Sequence, residues 1–392
     1  MKRSRTRITA AAAALLPILI LVSGCGEDPV GADSSTNLGR GLDFDTFQAA
    51  AVVIGQPDGQ SLGAGRSATR LRLPFGDIAG TGPFYMTDWG NNRVLGFDHL
   101  PSSDGAAAVW VVGQKDFDSR ESSVSASRFV PADCFVYGNK LLVADDVNNR
   151  VLIWNSLPRG DVPADVVLGQ SNFATHTSAT TQSGFNSPVR VAVSDGKLFV
   201  LDSGNNRCLI WNTIPGINNA PADVVVGQTD FTTVAVQTNQ GHFYYTTQAM
   251  SVTGSRLIIG GNDGRVLIWN SIPTTNGALA DVVVGAPDFD TQGTTRVTGV
   301  AFDGRNLYVA EPQENRVLIY RPLPTENGAT PAAVLGQSDL AHTSLNDDNQ
   351  DGATDATPSR RTMSDPRSVT IIGTRLVVCD HGNSRNLVYY AR

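Results

Sequence analysis

Short apolar segments separated by turn residues recur along the chain from about residue 47 onward. In one stretch, segments 189–194, 198–201, 207–212 and 222–226 are rich in Val, Leu and Ile, with Asp, Gly, Asn and Pro between them. Each segment has the length and the β-branched content of a strand and is too short for a helix. The pattern therefore predicts a unit of four antiparallel strands.

This four-strand unit occurs six times. An Arg follows the second turn of every copy and a Gly closes the fourth strand; from each Arg to the next such Gly the distance is 20, 19, 20, 20 and 20 residues. The distance from each Gly to the next Arg ranges from 31 to 49 residues, so one connection per repeat holds all the length variation. Repeats of this kind are typical of β-propeller blades. The sequence predicts an all-β, six-bladed β-propeller over residues 47–392.

The two ends of the chain are expected to close the ring. The last copy contains only three strand segments, at 368–372, 375–379 and 385–390, and segment 50–55 is a further strand at the other end of the chain. An N-terminal strand that joins the C-terminal blade leaves no free sheet edge.

One phrase carries a family resemblance. Leu-Phe-Val-Leu-Asp-Ser-Gly-Asn-Asn-Arg at 198–207, with related phrases at 84–93 and 141–150, resembles the NHL repeat. The resemblance covers nearly the whole chain after its N-terminal segment and implies an NHL-like propeller. It is specific for fold and weak for function, because NHL-type propellers include protein- and RNA-binding platforms and their relatives include lyases and lactonases.

The N-terminus has the pattern of an export signal. Four basic residues and no acid precede the apolar segment 8–22, and the box Leu21-Val22-Ser23-Gly24-Cys25 follows. This resembles a bacterial lipoprotein signal, which implies that Cys25 is lipidated; the alternative is an ordinary signal peptide that contains a Cys. Residues 1–24 are predicted to be the signal peptide and 25–46 a flexible tether. The expected location is the cell envelope, anchored to the outer membrane if the cell is Gram-negative.

Charge excludes one class of partner. The net charge is -7, and removal of the four basic signal residues brings it to about -11. No basic excess is available to neutralise phosphates, so we expect no nucleic-acid binding. We expect a monomer that contacts the membrane through acyl chains.

An acidic residue stands five positions before the repeat Arg in five of the six copies. Such a pair is expected to brace the tight turn between the second and third strands; a ring of carboxylates that binds a metal is the alternative. The fourth copy has Gly261 at that position. The predicted pairs are Asp88 and Arg93, Asp145 and Arg150, Asp202 and Arg207, Glu311 and Arg316, and Asp380 and Arg385.

The residues at the start of each first strand should lie near the propeller axis, and they differ from blade to blade. Unlike polar groups at a channel mouth either bind a polar ligand or ion, or form salt bridges among themselves and with ordered water. The six positions are Asp77, Asp133, Arg190, Gln248, Arg296 and Arg367.

Two features of the long connections also suggest binding. The loop 338–365 carries Asp347, Asn349, Asp351 and Asp355 at spacings similar to the first half of an EF-hand, but Pro358 stands where the bidentate Glu belongs. It is either a Ca²⁺ loop or a solvated acidic loop. The loops 171–187 and 229–247 carry aromatic residues that either contact a ligand or pack down onto the blades.

Two functions remain open at this stage. The first is a lipid-anchored binding or scaffold module that presents its loop-rich face to a protein or carbohydrate. The alternative is a metal-dependent, lactonase-like hydrolase or lyase with an axial site. The five histidines lack metal-ligand spacing, and no nucleophile motif is present, so an enzyme is the less favoured reading.

Overall fold

The computed structural model describes residues 41–80, 82–244 and 247–392. These residues form six four-stranded antiparallel sheets, each a meander, arranged as a six-bladed β-propeller. The predicted fold class is confirmed. The signal peptide, Cys25, tether residues 25–40 and Tyr245 of the loop 229–247 lie outside the described residues.

The strands are numbered β1 to β24 along the chain. Those of blades 1 to 3 are β2 (Ile78–Gly80), β3 (Phe84–Asp88), β4 (Arg93–Phe97), β5 (Trp110–Val112), β6 (Pro131–Tyr137), β7 (Lys140–Asp145), β8 (Arg150–Trp154), β9 (Val166–Leu168), β10 (Pro188–Ser194), β11 (Lys197–Asp202), β12 (Arg207–Trp211) and β13 (Val224–Val226). Those of blades 4 and 5 are β14 (Ala249–Thr253), β15 (Arg256–Gly260), β16 (Val266–Trp269), β17 (Val282–Val284), β18 (Gly299–Phe302), β19 (Leu307–Glu311), β20 (Arg316–Tyr320) and β21 (Ala333–Leu335).

Blade 6 joins the two ends of the chain. It consists of β22 (Pro366–Ile372), β23 (Arg375–Asp380), β24 (Arg385–Tyr390) and the N-terminal β1 (Val52–Ile54). Strand β1 pairs with β24 in the register Val53 to Leu387. The predicted closure is confirmed, and it supplies the outer strand that blade 6 lacks.

Hydrophobic side chains fill the spaces between neighbouring blades. The aromatic residue near the end of each third strand is buried there, as Trp154 and Trp211 illustrate. Trp154 makes an edge-to-face contact with Phe129 at 5.7 Å between ring centroids, and Trp211 does the same with Phe185 at 6.0 Å. These contacts fasten the connection that enters a blade to that blade's own third strand.

The turn between the second and third strands is short and has a fixed geometry. In three blades it is a single 3₁₀ turn: Trp89–Asn91, Ser203–Asn205 and Pro312–Glu314. The Asn that follows, for example Asn206 at a φ of 50°, adopts the left-handed conformation that Asn tolerates better than most residues. The helices of the described residues are too short to cross a membrane.

The two faces of the ring carry different connections. One face, here called the loop face, holds the turns between second and third strands and the long connections that lead to the next blade. The opposite face, here called the hairpin face, holds the turns between first and second strands and the loops between third and fourth strands. Alternation of strand direction within each blade requires this separation.

The N-terminal segment 41–48 packs on blade 5. Phe44 is 1% exposed and contacts Tyr308 edge to face at 6.0 Å, and the Phe47 N–H donates to the carbonyl of Val334 in the edge strand β21. The segment covers the outer edge of β21 in the place where other blades receive the loop between the third and fourth strands of the next blade, as where the Gly277 N–H donates to the carbonyl of Val225. The connection into blade 5, on its other side, is seven residues shorter than the 38-residue spacing of other blades. The predicted tether 25–46 therefore needs correction, since residues 41–46 belong to the propeller.

Candidate functional site

An acid–Arg ion pair spans the turn between the second and third strands in every blade. The carboxylate-to-Nε distances are 2.7 Å for Asp88–Arg93, 2.7 Å for Asp145–Arg150, 2.8 Å for Asp202–Arg207, 2.7 Å for Glu311–Arg316 and 2.7 Å for Asp380–Arg385. In blade 4, where Gly261 interrupts the pattern, Asp263 takes the role at 2.6 Å from Arg265. Sequence reasoning missed Asp263 because its spacing to the Arg is two instead of five.

These arginines also bind the connections on both sides. Arg207 donates through Nη2 to the carbonyls of Thr181 and Gly184 at 2.9 and 2.8 Å, in the connection that enters its blade. Through Nη1 it donates to the carbonyl of Phe231, in the connection that leaves. Arg385 binds the carbonyl of Gly59 at 2.7 Å in the same way and so ties the first connection to the last blade. The ring of pairs holds the propeller together, with every carboxylate committed to its Arg.

Three of the predicted axial residues meet in the central channel. Asp133 is 2% exposed and accepts the N–H groups of Asp77 at 3.0 Å and Val191 at 3.1 Å. Asp77 accepts the hydroxyl of Ser368, in the neighbouring blade 6. Burial raises the pKa of both carboxyl groups, and the nearby guanidinium of Arg190 opposes the shift.

Arg190 crosses the channel. It starts on blade 3, is 2% exposed, and its Nη2 donates to the carbonyls of Thr298 at 2.9 Å and Arg367 at 3.0 Å on blades 5 and 6. Its guanidinium carbon also lies 5.4 Å from the ring centroid of Phe75, on blade 1. A positive charge therefore occupies the centre of the channel, where an axial cation would meet repulsion.

The other three axial positions lie nearer the loop face. Arg367 pairs with Asp365 at 2.7 Å, and its guanidinium carbon lies 5.9 Å from the same Phe75 ring. Burial lowers the pKa of Arg296, and the positive charge of Arg367 adds to the shift. Gln248 is the residue just before β14, and its side chain faces a cavity at the mouth of the channel.

That cavity, here called the cup, opens at the centre of the loop face and has a volume of about 290 Å³. Five of the six blades contribute to it, and the blocked channel lies beneath it. Its lining consists of Phe75, Trp89, Asp146, Ser187, Val189, Ser203, Gly204, Gln248, Arg367 and His381.

Sequence reasoning predicted only Gln248 and Arg367 among these lining residues, although a signal for four more was present. In four blades, the residue directly after the acid of the acid–Arg pair lines the cup: Trp89, Asp146, Ser203 and His381. The residues around that position repeat from blade to blade, and this one changes. A variable residue inside a constant turn, in five of the six blades around one axis, marks a place where the ring can depart from its symmetry.

The polar groups of the cup are incompletely satisfied. Among the described residues, Oδ1 of Asp146, Oε1 of Gln248 and Nε of Arg367 have no hydrogen-bond partner although each atom is buried. Burial, with the adjacent Asp145, raises the pKa of Asp146 to about 7. Burial lowers the pKa of His381, whose Nδ1 lies 2.7 Å from the carbonyl of Pro74. The neutral ring donates from Nδ1, which leaves Nε2 as an acceptor.

The predicted calcium loop is held largely by its own hydrogen bonds. The buried carboxylate of Asp347 accepts the N–H groups of Asp351 at 3.1 Å and Gly352 at 2.9 Å, and Asp355 accepts the N–H of Asp348 at 3.0 Å. The side-chain amide of Asn349 donates to Asp351 at 3.1 Å. Within the described ranges, no three His, Cys, Asp or Glu side chains are grouped so that they could hold a metal ion. Calcium binding by this loop stays a prediction.

Two aromatic residues of the long loops pack down onto their blades. Phe185 and Phe243 are buried against the tryptophans of their blades, which fits the packing alternative.

A second depression of about 460 Å³ lies between blades 4 and 5, where the shortened connection leaves Leu279, Phe289 and His242 along an open groove. It is wider and shallower than the cup and far from the axis.

Comparison with known proteins adds little beyond the architecture. No protein-family model matches the sequence, and no curated protein matches it. Among solved structures, the chain is similar to the WD40 β-propeller domain of Doa1, with 10% identity, a TM-score of 0.42 and coverage of 88% of this chain and 94% of that one. It is also similar to the computationally designed Ika8 protein, with 9% identity, a TM-score of 0.41 and coverage of 88% and 100%.

Proposed function

We propose that the protein is a lipid-anchored, NHL-type binding module that presents the cup on its loop face to a ligand in the cell envelope. The observation that carries the proposal is that the cup, with its unsatisfied polar atoms, opens on the face opposite to the point where the N-terminal segment leaves the propeller. A β-propeller is well suited to a scaffold role, because rigid blades hold variable residues at fixed positions around one axis.

The exit point of the N-terminal segment follows from its contacts. Gly41 lies against the side chain of Asn306, in the turn between β18 and β19, and the carbonyl of Leu42 accepts the amide of Asn306 at 2.9 Å. This turn belongs to the hairpin face. A lipid attached at Cys25 would thus connect to the hairpin face, and the loop face would point away from the membrane.

The length of the intervening chain is compatible with this orientation. Residues 26–40 separate Cys25 from Gly41. As the predicted flexible tether, a segment of this length would have an average end-to-end distance of about 20 Å. That distance lets the propeller stand clear of the lipid headgroups, while the shortest path to the membrane starts from the hairpin face.

The hydrolase alternative has less support. Asp77 and Asp133 do lie in the channel, but each is engaged by backbone or hydroxyl donors. The guanidinium of Arg190 fills the position where a catalytic cation would sit. Binding without chemistry is the function that this arrangement favours.

Two measurements test the proposal. Cys25→Ala should move the protein from the membrane fraction to the soluble fraction, with unchanged fractionation counting against the anchor. Purified full-length protein should retain a component of solubilised cell envelope, whether polysaccharide or protein, and the double variant Trp89→Ala/Asp146→Leu should not. Equal retention by both proteins would remove the cup from the proposed function.

A further inference from the structure

We propose that the cup binds one neutral sugar residue, such as the terminal residue of a glycan; this rests on the proposed function and names its ligand class. Three properties of the cup support a neutral, hydroxyl-bearing ring: its size, its mixture of donors and acceptors, and its lack of uncompensated charge.

The size of the cup limits the ligand to about one ring. Its volume of about 290 Å³ lies at the lower end of the range for small-molecule sites. The side chain of Arg190 crosses the channel below and contacts blades 1, 5 and 6, so an extended chain cannot thread through the ring. The ligand therefore enters by one end, from the loop face.

The polar lining offers donors and acceptors in close alternation. Asp146, Gln248 and the Nε2 atom of His381 accept hydrogen bonds, and Arg367 and the hydroxyl of Ser203 donate them. Hydroxyl groups both donate and accept, so a polyol can satisfy such a set without charge. Each atom that gains a partner on binding recovers about 1–3 kcal/mol of the cost of an unsatisfied polar group.

Charge within the cup is nearly balanced. Arg367 is paired with Asp365 at 2.7 Å, and the lowered pKa of His381 keeps its imidazole neutral. Burial raises the pKa of Asp146 to about 7, so that near neutral pH its carboxyl group can donate a hydrogen bond as well as accept one. No permanent net charge is left to attract an acidic sugar or to select a zwitterionic amino acid.

One wall of the cup is free for stacking. The guanidinium groups of Arg190 and Arg367 both lie near the ring of Phe75. The His381 ring contacts it edge to face, with 6.3 Å between the ring centroids. The ring of Phe75 is therefore engaged by protein groups. Trp89 is half-buried and lines the cup, and its indole presents an apolar surface suited to the C–H face of a sugar ring.

The test is a calorimetric titration of the purified full-length protein with separate probes: glucose, galactose, mannose and N-acetylglucosamine as neutral sugars, glucuronic acid, and free glycine and alanine. We expect at least one neutral sugar to bind in the millimolar range or tighter. Trp89→Ala should weaken that binding about tenfold or more. Asp146→Leu should also weaken it and retains Trp89, so that the proposal does not depend on one variant.

Matched controls are available on the same molecule. Tyr137→Ala removes an exposed aromatic residue of the hairpin face, and Val147→Ala changes the exposed neighbour of Asp146; neither should alter sugar binding. If no neutral sugar binds, or if Trp89→Ala and Asp146→Leu bind it as well as the wild type, the inference is wrong. If the wild type retains an envelope component in a cup-dependent manner that none of these sugars displaces, the inference fails but the proposed function stands.

Discussion

Two of the acid–Arg pairs of this ring make unequal numbers of further contacts, so that one pair can serve as the control for the other. Arg207 is completely buried and makes an ion pair with Asp202 and three hydrogen bonds to backbone carbonyls on both sides of its blade. Arg316 is about one-tenth exposed, pairs with Glu311 and reaches one carbonyl, that of Leu340. Arg207→Met and Arg316→Met remove the same functional group at equivalent positions.

The expected losses differ because the environments differ. Arg207→Met leaves a buried carboxylate and three carbonyls without their donor, and removal of one partner of such a pair costs about 3–5 kcal/mol. Arg316→Met leaves one carbonyl and a carboxylate near solvent, which should cost about 1–2 kcal/mol. The free energy of unfolding, measured by urea denaturation with far-UV circular dichroism, should therefore fall by at least about 2 kcal/mol more in the first variant.

Equal losses in the two variants would mean that the carbonyl contacts contribute nothing and that the pairs act only within their own turns. The double variant Asp202→Leu/Arg207→Met should recover part of the loss, since it removes the stranded buried charge. A double variant as unstable as Arg207→Met would contradict that explanation.

Three further predictions concern other parts of the ring. Phe44→Ala should lower the free energy of unfolding by about 2–4 kcal/mol because Phe44 is buried on blade 5, whereas Ile217→Ala at a site 70% exposed should leave the urea midpoint unchanged. Burial raises the folded-state pKa of Asp146 to about 7, so folding takes up a proton between pH 4 and 7, and the contribution of Asp146 to stability falls as the pH rises through that window. Asp146→Asn should therefore be more stable than the wild type by about 1–2 kcal/mol at pH 8 and nearly equal to it at pH 4, as measured by urea titrations at each pH. Arg190→Met should destabilise the protein more at pH 8 than at pH 5, because Asp77 and Asp133 lose their neighbouring positive charge and can be protonated only at the lower pH; equal losses at both values would exclude this coupling.

The repeats make the fold predictable because each blade is specified locally. The predicted segment 198–201 is one residue shorter at each end than β11 (Lys197–Asp202). The predicted segment 207–212 extends one residue beyond the end of β12 (Arg207–Trp211). Closure by β1 could be predicted because a blade of three strands leaves an unpaired edge.

The N-terminal segment could not be placed from the pattern. Phe44 lies among polar residues with Leu42 and Phe47 nearby, and the ring that it contacts is that of Tyr308, more than 260 residues later in the sequence. Only the three-dimensional arrangement shows that residues 41–48 cover the outer edge of β21, in the place that the loop between the third and fourth strands of the next blade takes elsewhere in the ring.

The site was predictable in part. The starts of the first strands led to the axis, and Asp77, Asp133 and Arg190 lie together there. That Arg190 closes the channel depends on its side chain reaching carbonyls of Thr298 and Arg367, which no sequence spacing encodes. The cup residues Trp89 and His381 directly follow Asp88 and Asp380, the acids of two acid–Arg pairs. That they come together becomes visible only when the six turns are placed around one axis.

The orientation of the propeller on the membrane can be measured with fluorophores on its two faces. Single cysteines introduced as Val147→Cys on the loop face and Ile217→Cys on the hairpin face stand at exposed positions, while the native Cys134, Cys208 and Cys379 are buried. A fluorophore on each can be quenched by acceptor-labelled lipids in vesicles that carry the lipidated protein. Stronger quenching at position 217 than at position 147 is the predicted result. Equal quenching, or stronger quenching at position 147, would contradict a cup that faces away from the membrane.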